Sequence, residues 1–213
     1  MNEIELWSRL RKVERAKAAL EKHGFTAVVV RTGQEAADFV MSCIGPGMSL
    51  GFGGSMSIRD LGIQDKAREA GAEILDHNRP GIGPEEKLAV LRAQLTCDLF
   101  ICSANAVTLE GELLNIDGNG NRVAALTFGP KRNIVVAGAN KLVADEAEGW
   151  KRLKSTASPM NNKRLSKDNP CVKSGYCMDC DGPGRICRVY QVLRRRPFLS
   201  DFTVVLVAED LGY

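Results

Sequence analysis

Short, almost uninterrupted apolar runs recur along this chain, at residues 27–30 (AVVV), 98–102, 134–137 and 203–207. A strand with one face in water alternates apolar and polar residues, so a run apolar throughout belongs to a sheet covered on both faces. That cover is supplied by helices between the strands. Residues 3–22 carry Leu6, Leu10, Val13 and Leu20 on one face. Residues 33–43 repeat the pattern with Ala36, Phe39, Val40 and Cys43 before Gly45-Pro46-Gly47, and residues 84–95 open with proline and two glutamates, as a helix start does. Further strands are expected at 48–52 and 72–75. The fold class that follows is α/β, with a mostly parallel sheet flanked by helices. One domain is expected over 1–213, with a cysteine-rich insert at about 159–190 and a final core strand at about 202–208.

With 44% hydrophobic and 26% charged residues and a net charge of +3, the composition is that of an ordinary globular protein and demands neither nucleic acid nor membrane as partner. No apolar run reaches the length needed to cross a bilayer, and the N-terminus lacks the apolar core of a signal peptide. A cytoplasmic address is therefore expected. The basic clusters at 151–152, 163–164 and 194–196 read as solvated faces. An aromatic-interleaved basic surface, as single-stranded nucleic acid would need, is missing.

Polar residues collect where the strands end, and in open α/β sheets that is where ligands bind. The strand at 48–52 runs into Gly53, Gly54, Ser55, Met56 and Ser57. Glycines there allow close backbone approach to an anion and the serines add donors, although Ser55 or Ser57 as a plain helix cap accounts for the same residues. Ser103 and Asn105 follow the strand at 98–102, and Asn140 and Lys141 follow that at 134–137. A small anionic or phosphorylated ligand is the expected occupant. Glu110 and Glu112 stand in a strand-like segment, and Glu110 is the candidate general base or nucleophile. Asp117 to Gly120 read as turn chemistry, His77 as a surface turn residue, and Cys43, Cys97 and Cys102 as small core residues.

Four of the seven cysteines fall within residues 171–187, CVKSGYCMDCDGPGRIC. The spacing C-x5-C-x2-C-x6-C places two thiolates of Cys177 and Cys180 on one turn, with Cys171 and Cys187 on either side, the donor set of a Zn site or an iron–sulfur cluster. Glycines and Pro183 provide the bends. An odd number of cysteines in a reducing compartment argues against disulfides.

The segments GFGGSMSIRDLGI, TLEGELLNIDGNGNRVAAL and FGPKRNIVVAGANKLV, with the cysteine loop and the closing RRRPFLSDFTVVLVAEDLGY, resemble the lactate-utilisation (LUD) domain family in its short, cysteine-bearing form. The resemblance implies a fold similar to the sugar-phosphate isomerase and CoA-transferase superfamily. It also implies an accessory or redox role in lactate metabolism beside iron–sulfur electron-transfer proteins. The cysteine spacing is similar, nearly reversed, to the cluster loop of endonuclease III-like glycosylases, so a 4Fe–4S cluster is favoured, with Zn as the alternative. The Zn alternative accompanies a different function, an isomerase- or transferase-like enzyme acting on a phosphorylated sugar or acyl-CoA.

Overall fold

The computed structural model describes residues 2–213. The chain opens with helix α1 (Glu3–Lys22), whose Asn2 cap exchanges hydrogen bonds with Glu5 in both directions, fixing where the helix begins. Strand β1 (Thr26–Val30), α2 (Gly33–Ser42), β2 (Ser49–Phe52), the short helices α3 (Met56–Asp60) and α4 (Ile63–Glu69), and β3 (Glu73–Leu75) follow. Next come α5 (Pro84–Ala93) and β4 (Leu99–Cys102), then the hairpin of β5 (Ala106–Thr108) and β6 (Leu113–Asp117). After α6 (Asn121–Thr127), β7 (Arg132–Gly138) and the two-residue β8 (Leu142–Val143) come α7 (Glu146–Arg152), α8 (Ser158–Arg164) and the single turn α9 (Cys171–Ser174). The chain closes with β9 (Val189–Leu193) and β10 (Asp201–Val207).

Six strands in the order β1-β10-β7-β4-β2-β3, every adjacent pair parallel, form the main sheet. The apolar runs are its strands β1, β4, β7 and β10, of which β1, at the sheet edge, is half-buried. Residues 202–207 of β10 and 133–138 of β7 are buried along their whole length, because helices cover both faces. On one face Val13, Ala16 and Leu20 of α1 and Leu126 of α6 pack on Phe100, Val135 and Phe202. On the other, Ala36 and Val40 of α2 with Ile63 and Ala67 of α4 pack on Leu50, Ile101 and Val205. The last strand of the chain is thus central to the sheet.

A second, mixed sheet, β8-β5-β6-β9, was not expected from the sequence. Its strands are short, and β9 leaves Val189 and Tyr190 exposed, so none gives the continuous apolar signal of the main sheet. The tight turn between β5 and β6 sets its position. Gly111 there has φ +87°, and a Cβ on it would lie 2.5 Å from the backbone of Ala19 in α1, so the hairpin rests directly on that helix.

Pro159 does not end the helix before it. The chain widens into a π-helical turn over Leu153–Ala157 and continues as α8, with Pro159 in the first turn. A proline in a regular helix clashes with the carbonyl four residues earlier, and the wider turn relieves that clash. The π turn also leaves the Lys154 carbonyl to accept the Cys177 N–H, at 2.9 Å. The cysteine-rich stretch is held at both ends, by α8 and by β9. Buried Asn169 stitches it further, donating to Asn162 Oδ1 at 2.6 Å and to the Gly184 carbonyl at 2.9 Å.

Candidate functional site

The loops at the C-terminal ends of β2, β3, β4 and β7 enclose a cavity of about 1010 Å³. From β2 come Phe52 to Met56, from β3 Leu75 to Asn78, from β4 Ser103 to Asn105, and from the segment after β7 Lys141. The Asp117 turn with Arg122, and the α8 region with Ser158, Asn161 and Arg164, complete the wall. Cations outnumber anions in the lining: Arg59, Lys87, Arg122, Lys141, Arg164 and Lys167 face Asp65, Asp76 and Asp117. A field of this sign concentrates anions.

Arg122 organises the wall. Its guanidinium donates to the Ser103 carbonyl (3.2 Å), Asn115 Oδ1 (2.5 Å), Asn105 Oδ1 (3.2 Å) and the Ile116 carbonyl (2.7 Å). Gly53 permits this, because a Cβ there would come within 2.7 Å of Cys102 Cβ and 3.1 Å of Arg122 Cδ. Arg152 supports the floor, donating to the carbonyls of Asn105 (2.6 Å) and Asn140 (3.0 Å), and burial lowers its pKa. Arg164 reaches across the rim to the Gly54 carbonyl (3.4 Å) and the Tyr213 hydroxyl (2.8 Å).

Gly53, Gly54, Ser55, Ser103, Asn105 and Lys141 therefore share one cavity, and three other expected residues do not. Ser57 lies beneath it, fully buried, donating to the Leu211 carbonyl at 3.0 Å and accepting from Lys141 Nζ at 2.8 Å. Ser57 is not the helix cap either, because Ser55 occupies the cap position, and Ser55 makes no side-chain cap bond. Asn140 fastens the C-terminal segment, donating to the Gly212 carbonyl and accepting from the Leu211 N–H, both at 3.1 Å. Glu110 is in an exposed turn between β5 and β6 instead of a strand, outside the cavity. Its neighbour Glu112 is buried and paired with Arg194, which also binds Glu146. That pair ties the second sheet to α7.

His77 was expected to be a surface turn residue, and Arg122 was not among the expected site residues. His77 lines the cavity with Nδ1 3.0 Å from the Gln94 amide, and its pKa is lowered by burial and by Lys87, against Asp76. The available signal was its place just after β3, at a strand's C-terminal end.

The cysteine loop forms part of the same wall, since Ile186 and Cys187 line the cavity. All seven cysteines are free thiols. Burial raises the Cys171 pKa, and the proximity of Cys187, Cys180 and Cys177 raises it further. The donor chemistry suits a soft metal or cluster. The arrangement is not closed, however: among the described residues no three His, Cys, Asp or Glu side chains form a metal-ligating group. No helix among them is long and apolar enough to cross a membrane.

Fold and site together define an α/β protein with a parallel six-stranded sheet and a basic cavity at the strands' C-terminal ends. The LUD domain profile matches residues 13–207, so the chain belongs to the LUD-domain family. In structure it is similar to a DUF162 family protein from Deinococcus radiodurans, with a TM-score of 0.53 and 13% identity over 93% of this chain and 98% of that one. No curated protein matches it by sequence.

Proposed function

We propose that this LUD-domain protein serves lactate or related organic-acid metabolism as an accessory or redox component. It binds a small anionic or phosphorylated metabolite in the basic cavity and carries a 4Fe–4S cluster on Cys171, Cys177, Cys180 and Cys187. The observation that carries this reading is the presence of Cys187 in the lining of the cavity that also holds Arg122 and Lys141. A cluster on that loop would be next to the bound anion, and its chemistry would be one-electron storage or transfer to a partner iron–sulfur protein. Seven free thiols support a reducing, cytoplasmic setting. The site at the strand ends also supports a kinship in fold with the sugar-phosphate isomerase and CoA-transferase superfamily.

Ligation needs the loop to tighten, and free thiols become thiolates when they bind metal. The deciding experiment is anaerobic purification with iron, sulfide and zinc analysis and an absorption spectrum, followed by titration with lactate, pyruvate and inorganic phosphate. The expected result is four irons and four sulfides per chain with a visible band that dithionite bleaches, plus saturable anion binding. Iron-free protein with stoichiometric zinc would assign the loop a structural metal and remove the redox role.

A further inference from the structure

Lys141 is 3% exposed, at the floor of the cavity. Its Nζ is 2.8 Å from both Ser57 Oγ and Ser103 Oγ, and among the described residues no carboxylate pairs with it. The two serines are not equivalent. The Ser57 hydroxyl hydrogen is engaged by the Leu211 carbonyl at 3.0 Å, so Ser57 accepts from the amine. Ser103, on the cavity side, has only the Ala104 carbonyl at 3.2 Å as another acceptor for its hydrogen. A neutral amine held by Ser57 in this way has its lone pair available to the Ser103 hydroxyl.

We propose that Ser103 is a nucleophile, with Lys141 as its general base and Ser57 as the residue that positions the amine, acting on an acyl ester or thioester that carries an anionic group. The layout follows the general pattern of a nucleophile in hydrogen-bond reach of a base that a third group orients. Burial, then Arg152 and Arg122, lower the Lys141 pKa to about 7, against smaller opposing effects of Cys102 and Asp60. A usable fraction of free amine is therefore present at neutral pH, where an exposed lysine has almost none. In the first step the Ser103 Oγ–carbonyl carbon bond forms as the hydroxyl proton passes to Lys141 Nζ. The adduct then collapses, the bond to the leaving alcohol or thiol breaks, and that group takes the proton from Lys141. Water repeats the sequence on acyl-Ser103 and releases the acid, with no oxidant or reductant involved.

This inference rests on reading the cavity as a ligand site but not on the cysteine loop. Its test is labelling of the full-length protein, as purified, with a fluorophosphonate probe, the adduct mapped by peptide mass spectrometry. A single adduct on Ser103 is expected, forming at a rate that rises with pH through a midpoint near 7. Labelling should fall at least about 100-fold in Ser103→Ala and in Lys141→Met, with circular dichroism confirming that each variant is folded. Ser57→Ala should label more slowly than wild type, with its midpoint moved to lower pH, because the amine loses both its positioning contact and a hydrogen-bond acceptor of the ammonium. A wild-type protein that takes no label, labels elsewhere, or reacts with a flat pH profile overturns the triad, as does a folded Lys141→Met that labels normally. Phosphate titration by calorimetry separates the levels: anion binding without labelling strikes only the triad, whereas no binding strikes the underlying view of the cavity.

Discussion

Arg122 commits four hydrogen bonds to the cavity wall, so in the proposed anion site it would act through its charge and by holding Ser103 and Asn105 in place. Hydrogen bonds to a charged group are each worth more than neutral ones. Arg122→Ala is expected to destabilise the fold by about 2–3 kcal/mol and to abolish anion binding, measurable by urea unfolding and by phosphate titration. Gly53→Ala strikes both at once. Its Cβ would fall 2.7 Å from Cys102 Cβ, which the β4 backbone holds in place, and 3.1 Å from Arg122 Cδ, so stability and anion affinity should fall together.

Backbone contact makes the elements less forgiving than the cavity. At Gly111 both the left-handed φ and the 2.5 Å approach to Ala19 exclude a side chain, and Gly111→Ala should cost more than about 1 kcal/mol. Leu206 is fully buried in the central strand β10, and Leu206→Ala should cost about 2–5 kcal/mol in a calorimetric or urea unfolding transition. On the proposed ligand set the cysteine loop would depend on metal as well as on Asn169. Cys177→Ser is expected to lose the bound metal and to raise protease sensitivity between α8 and β9; unchanged metal content would refute the ligand set.

For the molecule as a whole, Lys141 gives stability a pH dependence of predictable sign. Its folded pKa, about 7, is below the ordinary lysine value, so from pH 7 to 10 the unfolded chain binds more protons and stability rises with pH. Buried Cys97 and Cys102, raised to about 11 and about 12, act oppositely only above the ordinary thiol range. Between pH 7 and 9 the wild type should therefore gain on Lys141→Met at a slope of up to roughly 1.4 kcal/mol per pH unit. Thermal midpoints of both proteins across that range measure it. Parallel curves would show that the amine is not buried in its charged-state-disfavouring pocket.

The main sheet was written in the chain itself, because strands covered on both faces must be apolar throughout and the runs at 27–30, 98–102, 134–137 and 203–207 are local patterns. The polar residues at the strand ends are local patterns too, which made Ser55, Ser103, Asn105 and Lys141 legible in the sequence as cavity residues. The second sheet had no such pattern, since β8 is two residues long and only Leu193 of β9 is buried. Only tertiary structure decided which polar residues face the cavity. Glu110 fell outside because a glycine turn seated the hairpin against α1, and Ser57 and Asn140 turned inward to the C-terminal segment. Arg122 and His77 entered because α6 and β3 bring distant stretches to one wall, and the cysteine loop joined them when α8 and β9 fixed its two ends. Side-chain direction in each case depends on contacts between residues far apart in sequence, which no local spacing encodes.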